Sequence, residues 1–118
     1  MVGRLKLSPR IRVVRGADVA LGPGKVDLLD QIERTGSLGK AAAAMEMSYM
    51  RAWTLVQTMN RCFKKPLVAL VRGGKEGGRA ELTATGQRAL SLYREMESKG
   101  LAAMQPAWKQ LVVILDRR

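Results

Sequence analysis

The sequence predicts a mainly α-helical chain with a small β-hairpin and a long C-terminal helix. Three observations lead to this prediction: apolar residues recur at helical spacing over most of the chain, a glycine-rich stretch separates two short apolar runs, and capping residues stand at the expected helix ends. With 118 residues, 47% of them hydrophobic, the chain can bury a core of its own. We expect one domain over residues 1–118, made of a basic arm or strand (1–22), helices (23–65), a hairpin (66–83) and C-terminal helices (84–118).

The N-terminal part begins with an extended segment. Residues 10–15 alternate basic and apolar side chains, a period of two that is typical of a strand with one buried face. A turn is expected at residues 21–24, where Pro23 stands between two glycines near the start of a helix. That helix extends to Thr35, and Gly36 can adopt the left-handed conformation that ends it.

Two further helices follow closely. Ser37 can cap a helix that contains four consecutive alanines and ends near Met45. Ser48 is placed to cap a third helix, which extends to about Lys64 before Pro66 prevents its continuation.

A hairpin and a long helix complete the predicted order. Short strands are expected at residues 67–71 and 80–82, on either side of a glycine-rich loop. Thr83 can cap the next helix, in which Gly100 and Pro106 are expected to cause a break or a kink.

The third helix carries the clearest functional signal. Helical spacing places Ala52, Val56 and Met59 on one face with Phe63. Arginine can pair with guanine, glutamine with adenine, and threonine can reach a phosphate or a thymine methyl group. A merely solvated face would mix the two charge signs, yet no acidic residue lies between Glu46 and Glu76. The opposite face is therefore interpreted as a DNA-recognition surface, and it comprises Met50, Arg51, Thr54, Gln57, Thr58 and Arg61.

The net charge of +11 is concentrated in two segments, residues 1–16 and 48–80. The first carries five basic and no acidic residues, and the second carries seven basic residues and one acidic residue. This distribution favours a polyanionic partner, most commonly nucleic acid. In the loop, Arg72, Lys75 and Arg79 would supply charge to phosphates, although each could equally belong to an unconstrained hairpin tip.

The composition argues against most enzyme chemistry. Histidine is absent and Cys62 is the single cysteine, which excludes histidine-dependent triads, histidine-containing metal sites and thiolate zinc sites. We expect no catalytic residue, no metal and no cofactor. One cysteine cannot form an internal disulfide, and no signal peptide or membrane span is expected, so the predicted location is the cytoplasm.

Two short helices joined by a tight turn and followed by a basic hairpin form the order of a winged helix-turn-helix. The stretches GSLGKAAAAMEMSYMRAW, GGKEGG and LTATG resemble the N-terminal domain of the molybdate-dependent (ModE-like) transcriptional regulators over roughly residues 10–95. LysR-type regulators are similar more distantly. The resemblance implies a winged-helix fold, dimerisation through the C-terminal helix and binding to operator DNA.

The matching residues lie at the start of the third helix and in the wing. Ser48, Tyr49, Arg51 and Trp53 match the SYxRAW motif of the family, whereas Met50 stands where the family commonly has a basic residue. Gly73, Gly74, Lys75, Gly77 and Gly78 match its wing. Because the chain ends at Arg118 without oxyanion-binding domains, direct sensing of molybdate is not expected, and a separate sensor chain is one possibility.

The two aromatic residues of the motif have different expected positions. The apolar flank of the helix favours a core position for Trp53. For Tyr49, a contact between its hydroxyl group and a phosphate and a purely structural position are equally compatible with the sequence.

The sequence thus predicts a transcription regulator that binds double-stranded DNA. Apolar residues on the last helices predict a homodimer, and the predicted contact residues are Tyr93, Met96, Trp108, Leu111, Val112 and Leu115. The alternative is a winged-helix adaptor that binds an acidic protein. Nonspecific RNA or DNA binding is disfavoured, because the chain has only five aromatic residues and none is clustered on a predicted polar surface.

Overall fold

A computed structural model of the chain describes residues 4–71 and 78–116. It confirms the predicted fold class, since the described part is mainly α-helical with two small two-stranded antiparallel sheets. In chain order the elements are β1 (Val13–Arg15), β2 (Asp18–Leu21), α1 (Pro23–Thr35), α2 (Leu38–Ala44), α3 (Tyr49–Cys62), β3 (Val68–Val71), β4 (Arg79–Leu82) and α4 (Ala84–Ile114).

The N-terminal segment forms a hairpin that the sequence predicts only in part. Side chains alternate between exposed and half-buried along residues 4–13, as expected for an extended segment. Hydrogen-bonded strand structure is limited to β1, which pairs with β2 across a turn at Gly16, where φ is +61°. Strand β2 was not predicted, because its four residues lack a clear alternation of polar and apolar side chains.

The predicted helix ends are confirmed by capping contacts. Pro23 occupies the first turn of α1, and Gly36 ends this helix in the left-handed conformation. The Oγ of Ser37 accepts a hydrogen bond from the Lys40 amide at 3.2 Å, and the Oγ of Ser48 accepts one from the Arg51 amide at 3.1 Å. These caps fix where α2 and α3 begin.

The core lies between the first three helices, the two sheets and the start of α4. Its largest fully buried side chains are aliphatic or aromatic, and no polar or charged residue is buried among the described residues. Helix α3 contributes Ala52, Val56 and Met59, as the helical spacing predicts, with Phe63 packed at the edge. The opposite face of α3 is left free for solvent or a partner.

Helix α4 differs from the prediction, because neither Gly100 nor Pro106 interrupts it. The helix is continuous over 31 residues and contains Pro106 within it. The proline removes one amide, which would otherwise bind the carbonyl of Ala102. Both residues are exposed, so water can satisfy that carbonyl, and the helix tolerates the loss.

Only the first third of α4 belongs to the core. Its buried residues are Gly86, Ala89, Leu90 and Tyr93, and none of the described residues after Tyr93 is buried. Arg94 fastens this part of the helix to α1 through an ion pair with Asp30. The remainder of α4 extends beyond the core. No helix in the described ranges combines the length and the apolar character needed to span a membrane.

Candidate nucleic-acid interface

The exposed face of α3 contains most of the residues that the sequence assigns to recognition. Ser48 and Tyr49 stand at its start, and Met50, Arg51 and Thr54 follow on the first two turns, all of them exposed. Gln57 and Thr58 are half-buried further along the helix. Because α3 contains no acidic residue, the positive potential of Arg51 on this face is not offset within the helix.

The two threonines already use their hydroxyl protons. Thr54 Oγ1 donates to the carbonyl of Met50 at 2.9 Å, and Thr58 Oγ1 donates to the carbonyl of Thr54 at 3.1 Å. Each oxygen can still accept a hydrogen bond, and each methyl group remains available for an apolar contact. The structure therefore favours threonine as an acceptor or an apolar contact over threonine as a donor to phosphate.

Arg61, one of the predicted recognition residues, forms an ion pair within the chain. Its Nη2 lies 3.3 Å from both carboxylate oxygens of Asp18, on β2. The sequence could not show this contact, because the two residues are 43 positions apart. Arg61 thereby links α3 to the N-terminal hairpin.

A groove of about 270 Å³ joins the start of α3 to the β3–β4 hairpin. Tyr49, Met50 and Trp53 form one wall, and Arg79 stands on the hairpin side with Val71. The core position favoured for Trp53 is wrong, because 40% of the side chain is exposed. Arg79 thus lines the same groove as the first two turns of α3.

Most of the predicted wing lies outside the described residues. Arg72 and Lys75, together with Gly73, Gly74 and Gly77, lie outside the described residues. Gly78 is described and lines the same groove as Arg79.

The predicted dimer residues occupy different environments. Tyr93 is fully buried and its hydroxyl donates to the carbonyl of Ile11 at 2.8 Å, so it is a core residue of the single chain and not a surface contact. Met96 and Leu111 are exposed, Trp108 and Val112 are half-exposed, and Leu115 follows the last turn of α4.

Two features of the interface escape the sequence. The side chain of Asn60 bonds to the start of β3: Oδ1 accepts from the amides of Leu67 and Val68 at 2.8 and 3.1 Å, and Nδ2 donates to the Val68 carbonyl at 3.0 Å. This contact sets the hairpin relative to α3. Its signal in the sequence was a polar residue flanking the apolar face, which is too general to reveal a partner.

The second missed feature is a cleft of about 350 Å³ beside the first turn of α3. We call it the basic cleft, because its charged residues are Arg10, Arg12, Lys25 and Arg51. The alternation in residues 10–15 places Arg10 and Arg12 on one side of the extended segment, which is a signal that was present in the sequence. The sequence contained no signal that Lys25 on α1 would lie beside Arg10 and Arg12.

Several known proteins with similar sequences are named ModE. The chain is similar to ModE proteins. It is 40% identical over 85 residues to the molybdenum transport protein ModE of Azotobacter vinelandii. These aligned residues cover 72% of this chain and 32% of that protein. It is 39% identical over 71 residues to the DNA-binding transcriptional dual regulator ModE of Escherichia coli K12, covering 60% of this chain and 27% of the relative.

The longest of these similarities is to a protein with a different name. The molybdenum-pterin-binding protein MopB of Rhodobacter capsulatus is 36% identical over 98 residues, covering 83% of this chain and 36% of that protein. The chain thus spans about a third of the length of the curated relatives that it matches. No protein-family model matches the chain.

Proposed function

We propose that this chain is a DNA-binding transcription regulator of the ModE type, which reads duplex DNA with α3. The observation that carries the proposal is the exposed face of α3, which displays Arg51, Thr54 and their neighbours without a carboxylate on the helix. This face fits the major groove of DNA, where arginine and threonine contact base edges and phosphates.

The position of the hairpin supports a winged helix-turn-helix. Helices α2 and α3 form the helix-turn-helix pair, and strands β3 and β4 form the base of the wing. Asn60 holds the start of β3 against the last turn of α3, and the groove lies between the hairpin and the first turn of α3. Arg79, and Arg72 and Lys75 from the sequence, would then contact the phosphates that flank the bases read by α3.

The relatives support the same proposal. Several of them carry the name of a transcriptional regulator, and the aligned part is 71 to 85 residues long in the two ModE proteins described above. A stretch of this length, without histidine and with one cysteine, fits a DNA reader better than an enzyme. The proposed site of action is the cytoplasm.

We also propose that the protein acts as a homodimer through the outer part of α4. Met104, Trp108 and Leu111 recur at i, i+4 and i+7, so they lie on one face of the helix, and Leu111 is 49% exposed. Nothing in the described chain covers this stripe. Pairing two copies would bury it and would place the two recognition helices in successive major grooves, about 34 Å apart.

A salt-titrated binding assay on genomic duplex fragments tests the proposal. A steep loss of affinity with salt, together with strong preference for certain fragments, is the expected result. Absence of duplex binding at low salt would overturn it and would favour the adaptor that binds an acidic protein.

The Arg51→Ala variant distinguishes recognition of bases from sequence-independent attraction to the DNA phosphates. We expect this variant to relax the sequence preference, with a loss of about 1–3 kcal/mol on the preferred fragment. Lys75→Ala is the comparison, because a phosphate contact should weaken all duplexes alike. Equal losses of Arg51→Ala on preferred and random duplexes would argue against base recognition by Arg51.

A further inference from the structure

The basic cleft gathers four cations from three parts of the chain. Arg10 and Arg12 come from the extended N-terminal segment, Lys25 from the first turn of α1, and Arg51 from the first turn of α3. None of the residues described along its walls is acidic. The carboxylate that acts on Lys25 is that of Asp18, which is engaged by Arg61. The cleft therefore keeps a strong positive charge.

The start of α1 adds hydrogen-bond donors to the same cleft. Its first intrahelical bond runs from the Val26 amide to the Gly22 carbonyl at 2.9 Å, so the amides of Gly24 and Lys25 precede the helical ladder. Gly22 occupies the N-cap position and makes no side-chain cap. Free amides beside four cations form a donor set that matches the oxygens of a tetrahedral anion.

The cations of the cleft repel one another. Burial lowers the pKa of Lys25 below its ordinary value, and the guanidinium groups of Arg51 and Arg12 act in the same direction, whereas Cys62 and Asp18 act in the opposite one. An anion in the cleft would remove this repulsion.

We propose that the basic cleft binds a phosphate group, with Lys25 and the first-turn amides of α1 as its principal donors. One source of this phosphate is the DNA backbone beside the bases that α3 contacts, and for that source the inference rests on the proposed function. Free inorganic phosphate is the other source, and it presents the same oxygens to the cleft.

The DNA-backbone source is tested by the salt dependence of duplex binding by the full chain. Each phosphate contact adds about 0.9 to the slope of log affinity against log salt. We expect Lys25→Gln to lower the slope by about 1 while the ranking of duplex fragments stays the same. Lys25→Arg should restore the slope, and Lys109→Gln, on the outer part of α4, is the charge-matched control that should not change it. Circular dichroism verifies that each variant is folded.

The free-phosphate source is tested without DNA. Inorganic phosphate is titrated into the wild-type protein and into Lys25→Gln, and NMR follows the backbone amide chemical shifts of Gly24 and of the residue after it in both proteins. Saturable shifts in the wild type that are lost in the variant would support binding of the free ion. A lowered salt slope without such shifts would support the DNA backbone.

An unchanged salt slope together with unsaturable shifts would overturn the proposal for the cleft. If the wild type still binds duplexes and Arg51→Ala still relaxes their ranking, that result leaves the proposed function standing. If the wild type binds no duplex at low salt, the proposed function fails. The phosphate titration alone then tests whether the cleft binds a phosphate group.

Discussion

At the scale of single residues, Asn60 has the most consequential set of contacts. One half-buried amide group satisfies two backbone amides and one carbonyl at the start of β3. A buried donor or acceptor left without a partner costs about 1–3 kcal/mol, so this side chain both stabilises the fold and fixes the position of the hairpin.

Asn60→Ala should therefore lower the free energy of unfolding by about 1–3 kcal/mol, since it leaves the amides of Leu67 and Val68 without their acceptor. Urea denaturation followed by circular dichroism measures the change. Gln87→Ala, at an exposed position on α4, is the control and should change stability by less than about 0.5 kcal/mol. Equal effects of the two substitutions would show that the contact of Asn60 with β3 contributes little.

Asp18 limits the positive charge of the proposed interface through Arg61. Both side chains are substantially exposed, so Asp18→Asn should change stability by less than about 1 kcal/mol. Duplex affinity should rise and its salt slope should become steeper, because Arg61 is released toward phosphate. Glu33→Gln changes the net charge equally at an exposed position on α1 and provides the control in the same fluorescence anisotropy titrations. If both variants bind alike, Arg61 serves the hairpin rather than DNA.

At the scale of elements, the start of α4 approaches the residue before β3 very closely. Leu67 donates its amide to Asn60, and its carbonyl accepts from the amide of Thr83 at 2.9 Å. A Cβ added at Gly86 would stand 2.0 Å from that carbonyl oxygen. The glycine of the LTATG stretch is thus required by the close approach of the helix to the strand.

Gly86→Ala should destabilise the protein by about 3 kcal/mol or more, because the carbonyl that it meets is held by a hydrogen bond and cannot move freely. The thermal midpoint and the urea midpoint both measure the effect. Gly39→Ala is the matched control, since its Cβ would meet only the Ser37 hydroxyl at 3.7 Å, an ordinary contact. A similar, small effect at both glycines would contradict the close packing at Gly86.

At the scale of the whole molecule, the described chain is elongated, with principal extents of 57 × 34 × 25 Å. Helix α4 accounts for this shape, because 31 residues at 1.5 Å per residue span about 46 Å. The buried residues of α4 end at Tyr93, so the outer part of the helix adds apolar surface and no core. A second copy of the chain is the partner that we propose for it.

Leu111→Glu should convert the proposed dimer into a monomer with little loss of fold, since residue 111 contributes nothing to the core of one chain. Sedimentation equilibrium at micromolar concentration measures the mass, and circular dichroism measures the helix content. Glu95→Gln, an exposed position on the inner part of the same helix, serves as the control and should leave the mass unchanged. Sedimentation of the wild type as a monomer would contradict the dimer.

The sequence by itself determined where α2, α3 and α4 begin and where α1 ends. Ser37, Ser48 and Thr83 cap the helices as predicted, and Gly36 ends α1, because capping depends on residues within one turn of each other. The buried face of α3 follows from helical spacing for the same local reason. The same spacing places the predicted recognition residues on the opposite face of α3. Their contact with DNA stays a prediction.

Only the tertiary structure decided which distant residues meet. The Asp18–Arg61 pair, the contact of Asn60 with β3 and the convergence of Arg10, Arg12, Lys25 and Arg51 all join separate elements. Packing also decided the burial of the two aromatic side chains, since Tyr93 is buried and Trp53 is partly exposed. Caps and spacing act within a few residues, whereas each of these outcomes depends on how the elements pack in three dimensions.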